Sequence, residues 1–285
     1  MEKIKIAIQK SGRLSESSLK LLKEAGINLN FGKASLKAES TNFPAEILFL
    51  RDDDIPQYVQ DGVAHVGIIG ENVLVEKKKD VKLVKRLGFS KCRLSLAVPR
   101  NLSYEGAAYF NHKKIATSYP NLLQKYLDEK NITAEIHEIS GSVEIAPGIG
   151  LAEGVCDIVS TGSTLLSNGL KEVETIFKSE AVMIANRSLS GDQQDLIEKL
   201  LFRISAVNKA KDTKYVLLNA PNENIEKISA ILPGMKSPTV MPLAKEGWSS
   251  IHSVVEEKAF WEIIDRLKEE GAEGILVIPI EKMVV

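Results

Sequence analysis

Short apolar strands alternate with helices in the first part of the chain, and this alternation restricts the fold more than any other feature of the sequence. Residues 3–9 alternate apolar and charged side chains, and residues 45–50 and 63–69 form two further apolar runs. Helical stretches separate these runs, the first of them predicted at residues 16–25 with Ser15 as its cap. Because strand–helix–strand units place successive strands in parallel, the sequence predicts an α/β protein with a parallel sheet.

The alternation restarts near residue 114, so the chain is predicted to contain a second α/β lobe. Beyond Asp212 the order of predicted elements changes to strand, helix, strand, strand, helix, strand. This order is typical of a ferredoxin-like sandwich. The sequence therefore predicts a region at 1–212 that consists of lobe I (about 1–90 and 180–212) and lobe II (about 91–179), followed by a separate domain at 213–285.

The composition is that of a soluble globular protein and gives no reason to expect a nucleic-acid or membrane partner. Of 285 residues, 44% are hydrophobic, and 37 lysines and arginines nearly balance 38 acidic residues, so any anion site must be local. The amino-terminal residues do not form the apolar segment of a signal peptide, and no apolar run reaches roughly 18 residues, so a cytoplasmic protein is expected. Two cysteines and four scattered histidines offer neither a disulfide framework nor the spacing of a zinc site.

Residues 156–165 combine a buried strand with a loop suited to phosphate. The strand ends at Val159, and small hydroxyl residues around one glycine follow before a predicted helix. Backbone N–H groups of such a loop converge on one point, hydroxyls add donors, and glycine allows a close approach. An ordinary capped strand-to-helix turn explains the same residues, and the segment alone leaves both interpretations open. We name this loop the cradle; it consists of Ser160, Thr161, Gly162, Ser163 and Thr164.

Basic residues lie near the ends of several predicted strands. Lys10 and Arg13 follow the first strand, Arg51 follows the strand at 45–50, and Arg93 begins a later strand. Ligands of open α/β sheets bind outside the carboxyl ends of the strands, so these cations are predicted to face an anionic ligand. A solvated basic turn is the alternative for the loop at Lys10 and Arg13.

Seven runs, through their order and spacing, resemble the long form of the ATP phosphoribosyltransferase family. Each run is weak by itself, but together they extend over nearly the whole chain. The resemblance implies two lobes like those of type II periplasmic binding proteins, an active site between them, and a C-terminal ferredoxin-like βαββαβ regulatory domain. The runs are IAIQKSGRLS (6–15), LRDDDIPQYVQDGVAHVGIIGENVL (50–74), CRLSLAVP (92–99), KIATSYPNLL (114–123), SGSVEIAP (140–147), CDIVSTGSTL (156–165) and ILVIPIEKM (275–283).

The resemblance also implies a reaction, the opening step of histidine biosynthesis. Adenine N1 of ATP attacks C1 of phosphoribosyl pyrophosphate, and pyrophosphate leaves, giving phosphoribosyl-ATP. Catalysis then depends on positioning and charge stabilisation, with Mg²⁺ on the leaving group and no covalent enzyme intermediate. Residues predicted to be catalytic are Lys10, Arg51 and Arg93. Residues predicted to bind substrate are Arg13, Asp52, Glu71, Tyr119, Glu144, Asp157 and the cradle, Ser160 to Thr164.

Two of these assignments stay open at the level of sequence. Ribose hydroxyls and Mg²⁺ are expected on Asp157, Glu144 or Glu71 in some combination, and the metal ligands are not assigned. Tyr119 is predicted either to stack on the adenine of ATP or to pack as a corner before a proline.

The C-terminal domain contains no phosphate loop, and the resemblance implies that it binds histidine as a feedback inhibitor. Candidate residues are Leu243, Ala244, His252 and Ser253. Because sheet edges favour pairing with another copy, a homo-oligomer is expected, either a dimer or a hexamer. A domain that serves only as an assembly clamp is the alternative. A second functional hypothesis is a two-lobe solute-binding or sensor protein without catalysis, against which the missing signal peptide argues.

Overall fold

The computed structural model describes residues 2–32, 35–232, 234 and 237–284. These residues form two compact units, the larger within Met1–Lys23 and Ile27–Ile197, the smaller within Glu24–Gly26 and Glu198–Val285. Each unit has hydrophobic cores of its own. Within the described ranges, no helix is long and apolar enough to cross a bilayer.

The larger unit contains two sheets with helices packed against them. Its strands are β1 (Ile4–Gln9), β2 (Leu29–Asn30), β3 (Lys37–Ser40), β4 (Ala45–Leu50), β5 (Val66–Gly70), β6 (Lys82–Arg86), β7 (Cys92–Pro99), β8 (Lys114–Thr117), β9 (Glu135–Glu138), β10 (Gly154–Val159), β11 (Leu170–Ser179) and β12 (Ala181–Ala185). Its helices are α1 (Arg13–Glu24), α2 (Ile55–Gln60), α3 (Glu71–Lys77), α4 (Pro120–Lys130) and α5 (Ser163–Ser167).

The first sheet has seven strands in the order β2-β3-β4-β1-β5-β12-β6. β1 is parallel to β4 and β5, but β12 lies between β5 and β6 and is antiparallel to both. The predicted strands β1, β4 and β5 are parallel as expected, and the sheet as a whole is mixed because β3 and β12 run antiparallel to their neighbours. The strand β12 enters from the second sheet, near residue 180, where the sequence places the return of the chain to lobe I.

The second sheet has five strands in the order β11-β7-β10-β8-β9. Two connections join it to the first sheet, one from β6 to β7 and one from β11 to β12. They are bonded to each other, since Leu87 N–H donates to the carbonyl of Ala181 and Ala181 N–H donates to that of Phe89, both at 2.9 Å. This pairing holds the two crossovers side by side.

Apolar residues explain why the central strands stay buried. Val66, Ile68 and Ile69 of β5 are fully covered, and so are Leu94 and Leu96 of β7. Burying a branched aliphatic side chain contributes about 1.5–3 kcal/mol, so these strands anchor their sheets.

Helix α1 begins earlier than the sequence predicts. Its first residue is Arg13, and the backbone N–H of Glu16 already donates to the carbonyl of Gly12 at 3.1 Å. Ser15 is buried inside the first turn, so the prediction that it caps the helix was wrong. Gly12, with a φ of 92°, makes the turn that lets the helix start this close to β1.

The smaller unit contains a four-stranded antiparallel sheet in the order β14-β15-β13-β16. Its strands are β13 (Thr213–Pro221), β14 (Thr239–Pro242), β15 (Trp248–Glu256) and β16 (Glu273–Pro279), its helices are α7 (Ile225–Ile231) and α8 (Glu257–Glu269), and α6 (Gly191–Lys211) precedes it. Both α7 and α8 pack on one face of the sheet, as Ile228, Phe260 and Leu267 join Val216 and Ile251 in one core. This is the predicted ferredoxin-like arrangement.

Candidate active site

The carboxyl ends of β1, β4 and β5 lie at one edge of the first sheet, because these strands are parallel neighbours. Lys10 follows β1, and its backbone N–H donates to the carbonyl of Leu50 at 2.8 Å, which sets Lys10 beside Arg51. Both side chains are exposed. In the part of the chain that the structure describes, neither has a hydrogen bond or an ion pair, so both are available to an anionic ligand.

The cradle links β10 to α5 and leaves several donors unused. Gly162 has a φ of 82°, a conformation that favours glycine. The hydroxyls of Thr161 and Ser163 are 3.0 Å apart. Among the described residues, the backbone N–H groups of Thr161, Gly162 and Thr164 have no acceptor. Because α5 has only five residues, these loop N–H groups contribute more to anion binding than the helix dipole does.

Two arginines reach the first residue of the cradle. Arg13, at the start of α1, brings its Nη1 to 3.4 Å from the hydroxyl of Ser160. Arg93, on β7, donates from Nη1 to the carbonyl of Ser160 at 3.3 Å. Arg13 lies on the helix that follows the first strand of the first sheet, and the cradle follows a strand of the second. Two of the four predicted cations, Arg13 and Arg93, therefore contact the predicted phosphate loop.

Arg93 is held by a partner that the sequence did not indicate. Its Nε and Nη2 donate to the two carboxylate oxygens of Glu172 on the adjacent strand β11. The pair raises the pKa of Arg93 and lowers the pKa of Glu172. Glu172 also accepts from the hydroxyl of Ser95 at 2.7 Å. Arg93 is therefore fixed in direction, and it supports the cradle through the Ser160 carbonyl.

Acidic residues of the predicted site fall into separate groups. Burial, with the charge of Glu144 adding to it, raises the pKa of Asp157 to about 6. Burial and the charge of Asp53 raise the pKa of Asp52. Glu71 instead forms an ion pair with Arg86 of β6. Of the three acids left open by the sequence, Asp157 and Glu144 thus interact with each other and Glu71 is paired elsewhere.

No group of three or more acidic, histidine or cysteine residues in the described ranges has the geometry of a metal site. The charge of Glu144 contributes to the raised pKa of Asp157, so these two carboxylates lie near each other. Mg²⁺ uses only one or two protein carboxylates when substrate phosphates and water complete its shell. The pair therefore fits a metal that arrives with a phosphorylated ligand.

Tyr119 packs as a corner between the two sheets. Its ring lies against the core of the second sheet, and its hydroxyl accepts from Nδ2 of Asn72 at 3.2 Å. Asn72 is buried and is bonded further to the hydroxyl of Ser179, which donates to Oδ1 of Asn72 at 2.8 Å. Burial and the charges of Asp157 and Asp52 raise the pKa of Tyr119. These contacts favour the packed corner over the stacking role.

Glu76 makes a contact between the sheets that the sequence did not predict. It lies on α3, it is 5% exposed, and its carboxylate accepts the backbone N–H groups of Asn121 and Leu122, each at 2.9 Å. These are N–H groups of the first turn of α4, which have no partner within the helix. A glutamate within a helical pattern carries no signal of this role, because its partner lies 45 residues away.

A cavity of about 680 Å³ lies where the crossovers leave the two sheets. Ser160 of the cradle is part of its wall, which connects the cavity to the predicted phosphate site. Four cations line it, and they are Arg86, Lys91, Arg93 and Lys178. Of these four, only Arg93 was predicted from the sequence. Arg86 and Lys178 lie at the ends of β6 and β11 and Lys91 precedes β7, and the spatial neighbours of these strands could not be predicted from local patterns.

In the smaller unit the four residues predicted as regulatory lie on two faces of β15 and in the loop after β14. His252 lies on the sheet face away from the helices, where its Nδ1 is 2.8 Å from the hydroxyl of Tyr215. Ser253, the next residue on β15, points to the opposite face, is buried, and has a hydroxyl without a partner among the described residues. Leu243 N–H donates to the carbonyl of Trp248 in the loop after β14, which also contains Ala244.

Comparisons with known proteins identify relatives over both units. The family model described as ATP phosphoribosyltransferase matches residues 51–206, and the model described as HisG, C-terminal domain matches residues 210–282. A protein of Cytophaga hutchinsonii named ATP phosphoribosyltransferase is 61% identical over 281 residues, which cover 99% of this chain and 98% of that protein.

Solved structures give the same result for the larger unit. The ATP phosphoribosyl transferase (HisG:HisZ) complex from Thermotoga maritima is similar with a TM-score of 0.60 and 30% identity, over 71% of this chain and 98% of that one. The substrate binding protein of an amino acid ABC transporter matches with a TM-score of 0.50 over 73% of this chain and 93% of that one. At 11% identity the second match shows the fold alone. The predicted two lobes like those of type II periplasmic binding proteins are confirmed, together with the ferredoxin-like C-terminal domain.

Proposed function

Because this chain belongs to the ATP phosphoribosyltransferase family, we propose how its own residues divide the work of the reaction. The enzyme transfers the phosphoribosyl group of phosphoribosyl pyrophosphate to N1 of the adenine of ATP. The bond from C1 to the pyrophosphate oxygen breaks, the bond from C1 to N1 forms, and pyrophosphate leaves with the electron pair. The chain takes part in histidine biosynthesis as a pentosyl transferase.

The cradle binds the 5′-phosphate of the phosphoribosyl donor. Its unused N–H groups and the hydroxyls of Thr161 and Ser163 supply neutral donors, and Arg13 supplies a charge from the first sheet. Arg93 acts through the Ser160 carbonyl and keeps the loop in position. Charge-assisted hydrogen bonds to a phosphate contribute about 1.5–3 kcal/mol each, enough to hold the donor in one orientation.

Lys10 and Arg51 stabilise the negative charge that develops on the leaving pyrophosphate. They lie side by side at the strand ends and have no partner in the described part of the chain, so both can bind the pyrophosphate as it leaves. Asp157 and Glu144 interact with the ribose hydroxyls and with Mg²⁺. When bound, Mg²⁺ neutralises the leaving pyrophosphate. The protein residues orient the two substrates and keep N1 within reach of C1.

The contact between Arg13 and the cradle is the observation that carries this proposal. It brings a cation from the helix that follows the first strand of the first sheet to the predicted phosphate-binding loop of the second sheet. The test mixes the purified chain with ATP, phosphoribosyl pyrophosphate and Mg²⁺ and follows the ultraviolet absorbance of phosphoribosyl-ATP. Lys10→Ala and Arg51→Ala should each lower kcat/KM by roughly tenfold or more, the loss of one charge-assisted bond. Lys82→Gln is the control, since Lys82 is an exposed residue of β6 outside the cavity and the cradle. Equal activity of all three variants would contradict the proposed roles.

The smaller unit binds histidine as a feedback inhibitor in this proposal, and Ser253 has the stronger support among the candidates. Its buried hydroxyl lacks a partner, and a Cβ built on Gly234 would lie only 2.8 Å from it, so the backbone approaches closely there. Buried polar groups normally have a hydrogen-bond partner, and an amino acid ligand supplies one. His252, in contrast, is already bonded to Tyr215 and Ser250.

Calorimetry of the full chain tests the two faces of β15 separately. Histidine binding should be lost or weakened at least several-fold in Ser253→Val, and it should persist in His252→Ala. The reverse result moves the site to the open face, and an unmodified chain that gives no heat with histidine removes the regulatory role.

We further propose that the protein is cytoplasmic. We also propose that it forms a homo-oligomer, a dimer or hexamer, because the edge strand β16 exposes Leu276 and Ile278. Light scattering measures its mass.

A further inference from the structure

The cavity at the crossovers contains a lysine pair that no step of the proposed reaction uses. Lys91 precedes β7, and Lys178 lies near the end of β11, where it is directly opposite Arg93 across the strand pair. Both lysines are exposed. In the described ranges neither has an ion pair or a hydrogen bond, so their charges are not neutralised by the protein.

The arginines of the same cavity are already neutralised. Arg93 is bonded to both oxygens of Glu172, and Arg86 pairs with Glu71 and lies 3.8 Å from Glu180. Lys178 lies opposite Arg93 across two antiparallel strands, but Glu172 already neutralises Arg93. Because acidic residues pair with both arginines, the unmatched positive charges of this cavity are those of the two lysines.

The dimensions and position of the cavity define the ligand. Its volume of about 680 Å³ exceeds what a single phosphate needs and falls in the usual range for small-molecule sites. Ser160, the first residue of the cradle, belongs to its wall, so a ligand there is continuous with the phosphate of the donor.

We propose that Lys91 and Lys178 form a subsite for an oligophosphate chain beside the cradle. The proposal rests on the proposed function, which supplies two such chains, the diphosphate of the phosphoribosyl donor and the triphosphate of ATP. Lysines suit this ligand because an ammonium group acts as a mobile point charge on any oxygen of a flexible chain. The binding site thus extends from the single phosphate at the cradle to a row of phosphates in the cavity at the crossovers.

The test compares Lys91→Gln, Lys178→Gln and the double variant with Lys82→Gln, which removes the same charge from β6 outside the cavity. Each single change should raise one Michaelis constant roughly tenfold, the double change should raise it further, and Lys178→Arg should restore most of the affinity. If the occupant is the diphosphate, the KM for the donor and the inhibition constant of inorganic pyrophosphate rise together. If it is the triphosphate, the KM for ATP rises and pyrophosphate inhibition is unchanged.

Binding without turnover separates this proposal from the proposed function. Calorimetry with inorganic pyrophosphate and with inorganic tripolyphosphate measures the subsite directly in the full chain. Lysine-dependent binding in a chain that forms no phosphoribosyl-ATP would refute the function and keep the subsite. A chain that turns over, with lysine variants that match Lys82→Gln in both Michaelis constants and in pyrophosphate inhibition, would overturn the subsite alone.

Discussion

The starts of helices α4 and α5 differ in what their backbone N–H groups meet. Both helices follow strands of the second sheet, β8 and β10, which are parallel neighbours. At α4 the carboxylate of Glu76 accepts two N–H groups, those of Asn121 and Leu122. At α5 the N–H groups of Thr161 and Gly162 have no acceptor among the described residues.

The two helix starts therefore have different proposed roles, a structural one at α4 and a binding one at α5. Any strand-to-helix turn at the carboxyl edge of parallel strands offers N–H groups to an anion. At α4 the protein fills that position with its own buried carboxylate from α3, and the contact joins elements of the two sheets. At α5 the position stays open to a phosphate. The two starts also differ in backbone, since Tyr119 before α4 has a φ of −128° and Gly162 before α5 has a φ of 82°.

Removing the carboxylate at α4 should have the largest effect. In Glu76→Ala, two N–H groups lose a charged acceptor, and one of them, on Leu122, is buried. Unsatisfied buried donors cost about 1–3 kcal/mol each, so we expect a loss of about 3 kcal/mol in the free energy of unfolding, measured by urea titration. Glu129→Ala, on the same helix but in an exposed pair with Lys125, should change it by less than about 0.5 kcal/mol. Similar losses in the two variants would mean that Glu76 does not cap α4.

Changes in the cradle should affect binding instead of folding. Thr161→Ala removes one hydroxyl donor and should raise the KM for phosphoribosyl pyrophosphate roughly tenfold. Gly162→Val forces a branched residue into a φ of 82° and should weaken donor binding further. Gly169→Val is the matched control, because Gly169 has a φ of 71° just beyond α5 and outside the cradle. If Gly169→Val impairs donor binding as much as Gly162→Val, the backbone of the cradle has no specific role in binding the donor.

A smaller effect is expected from the carboxylate that fixes Arg93. Glu172→Gln removes the charge but keeps a side chain of the same size, so Arg93 should hold the Ser160 carbonyl less firmly. One neutral hydrogen bond contributes about 0.5–1.5 kcal/mol, so the KM for the donor should rise about threefold with little change in stability. Glu174→Gln on the same strand, which loses only a bond to Tyr104, should leave the KM unchanged. A donor KM unaffected by Glu172→Gln would remove the positioning role of Arg93.

The smallest effect is a shift of the pH profile. The pKa of Asp157 is raised to about 6 by burial, with a contribution from the charge of Glu144. Its carboxylate forms as the pH rises through this value, so kcat/KM for the donor should fall as the pH drops below about 6. Glu144→Gln removes the repelling charge and should move this limb to lower pH, and Asp157→Asn should abolish it. A limb that does not move in Glu144→Gln would show that another group titrates.

The local sequence determined the strands and helices, and it indicated the edge of the first sheet at which ligand-binding residues are predicted to lie. Strand periodicity located β1, β4 and β5, and the residues after them, Lys10 and Arg51, were predicted from that pattern alone. The cradle was one of two interpretations of residues 160–164, because an ordinary capped turn between a strand and a helix uses the same small residues. The opposite faces of His252 and Ser253 could have been predicted too, since neighbouring strand residues alternate in direction.

Only the tertiary structure decided which charges are free and which are matched. Arg93 meets Glu172 across 79 residues, and Glu76 meets the start of α4 across 45, and such pairs leave no local pattern. The direction of β12, antiparallel to both neighbours in the first sheet, was likewise decided by the tertiary structure. Hydrophobic periodicity specifies which face of an element is buried, but it does not specify which distant element covers that face. For this reason the sequence indicated Lys10 and Arg51 as candidate cations, and only the fold showed that they lack a partner among the described residues and that the cavity adds two further lysines, Lys91 and Lys178, in the same state.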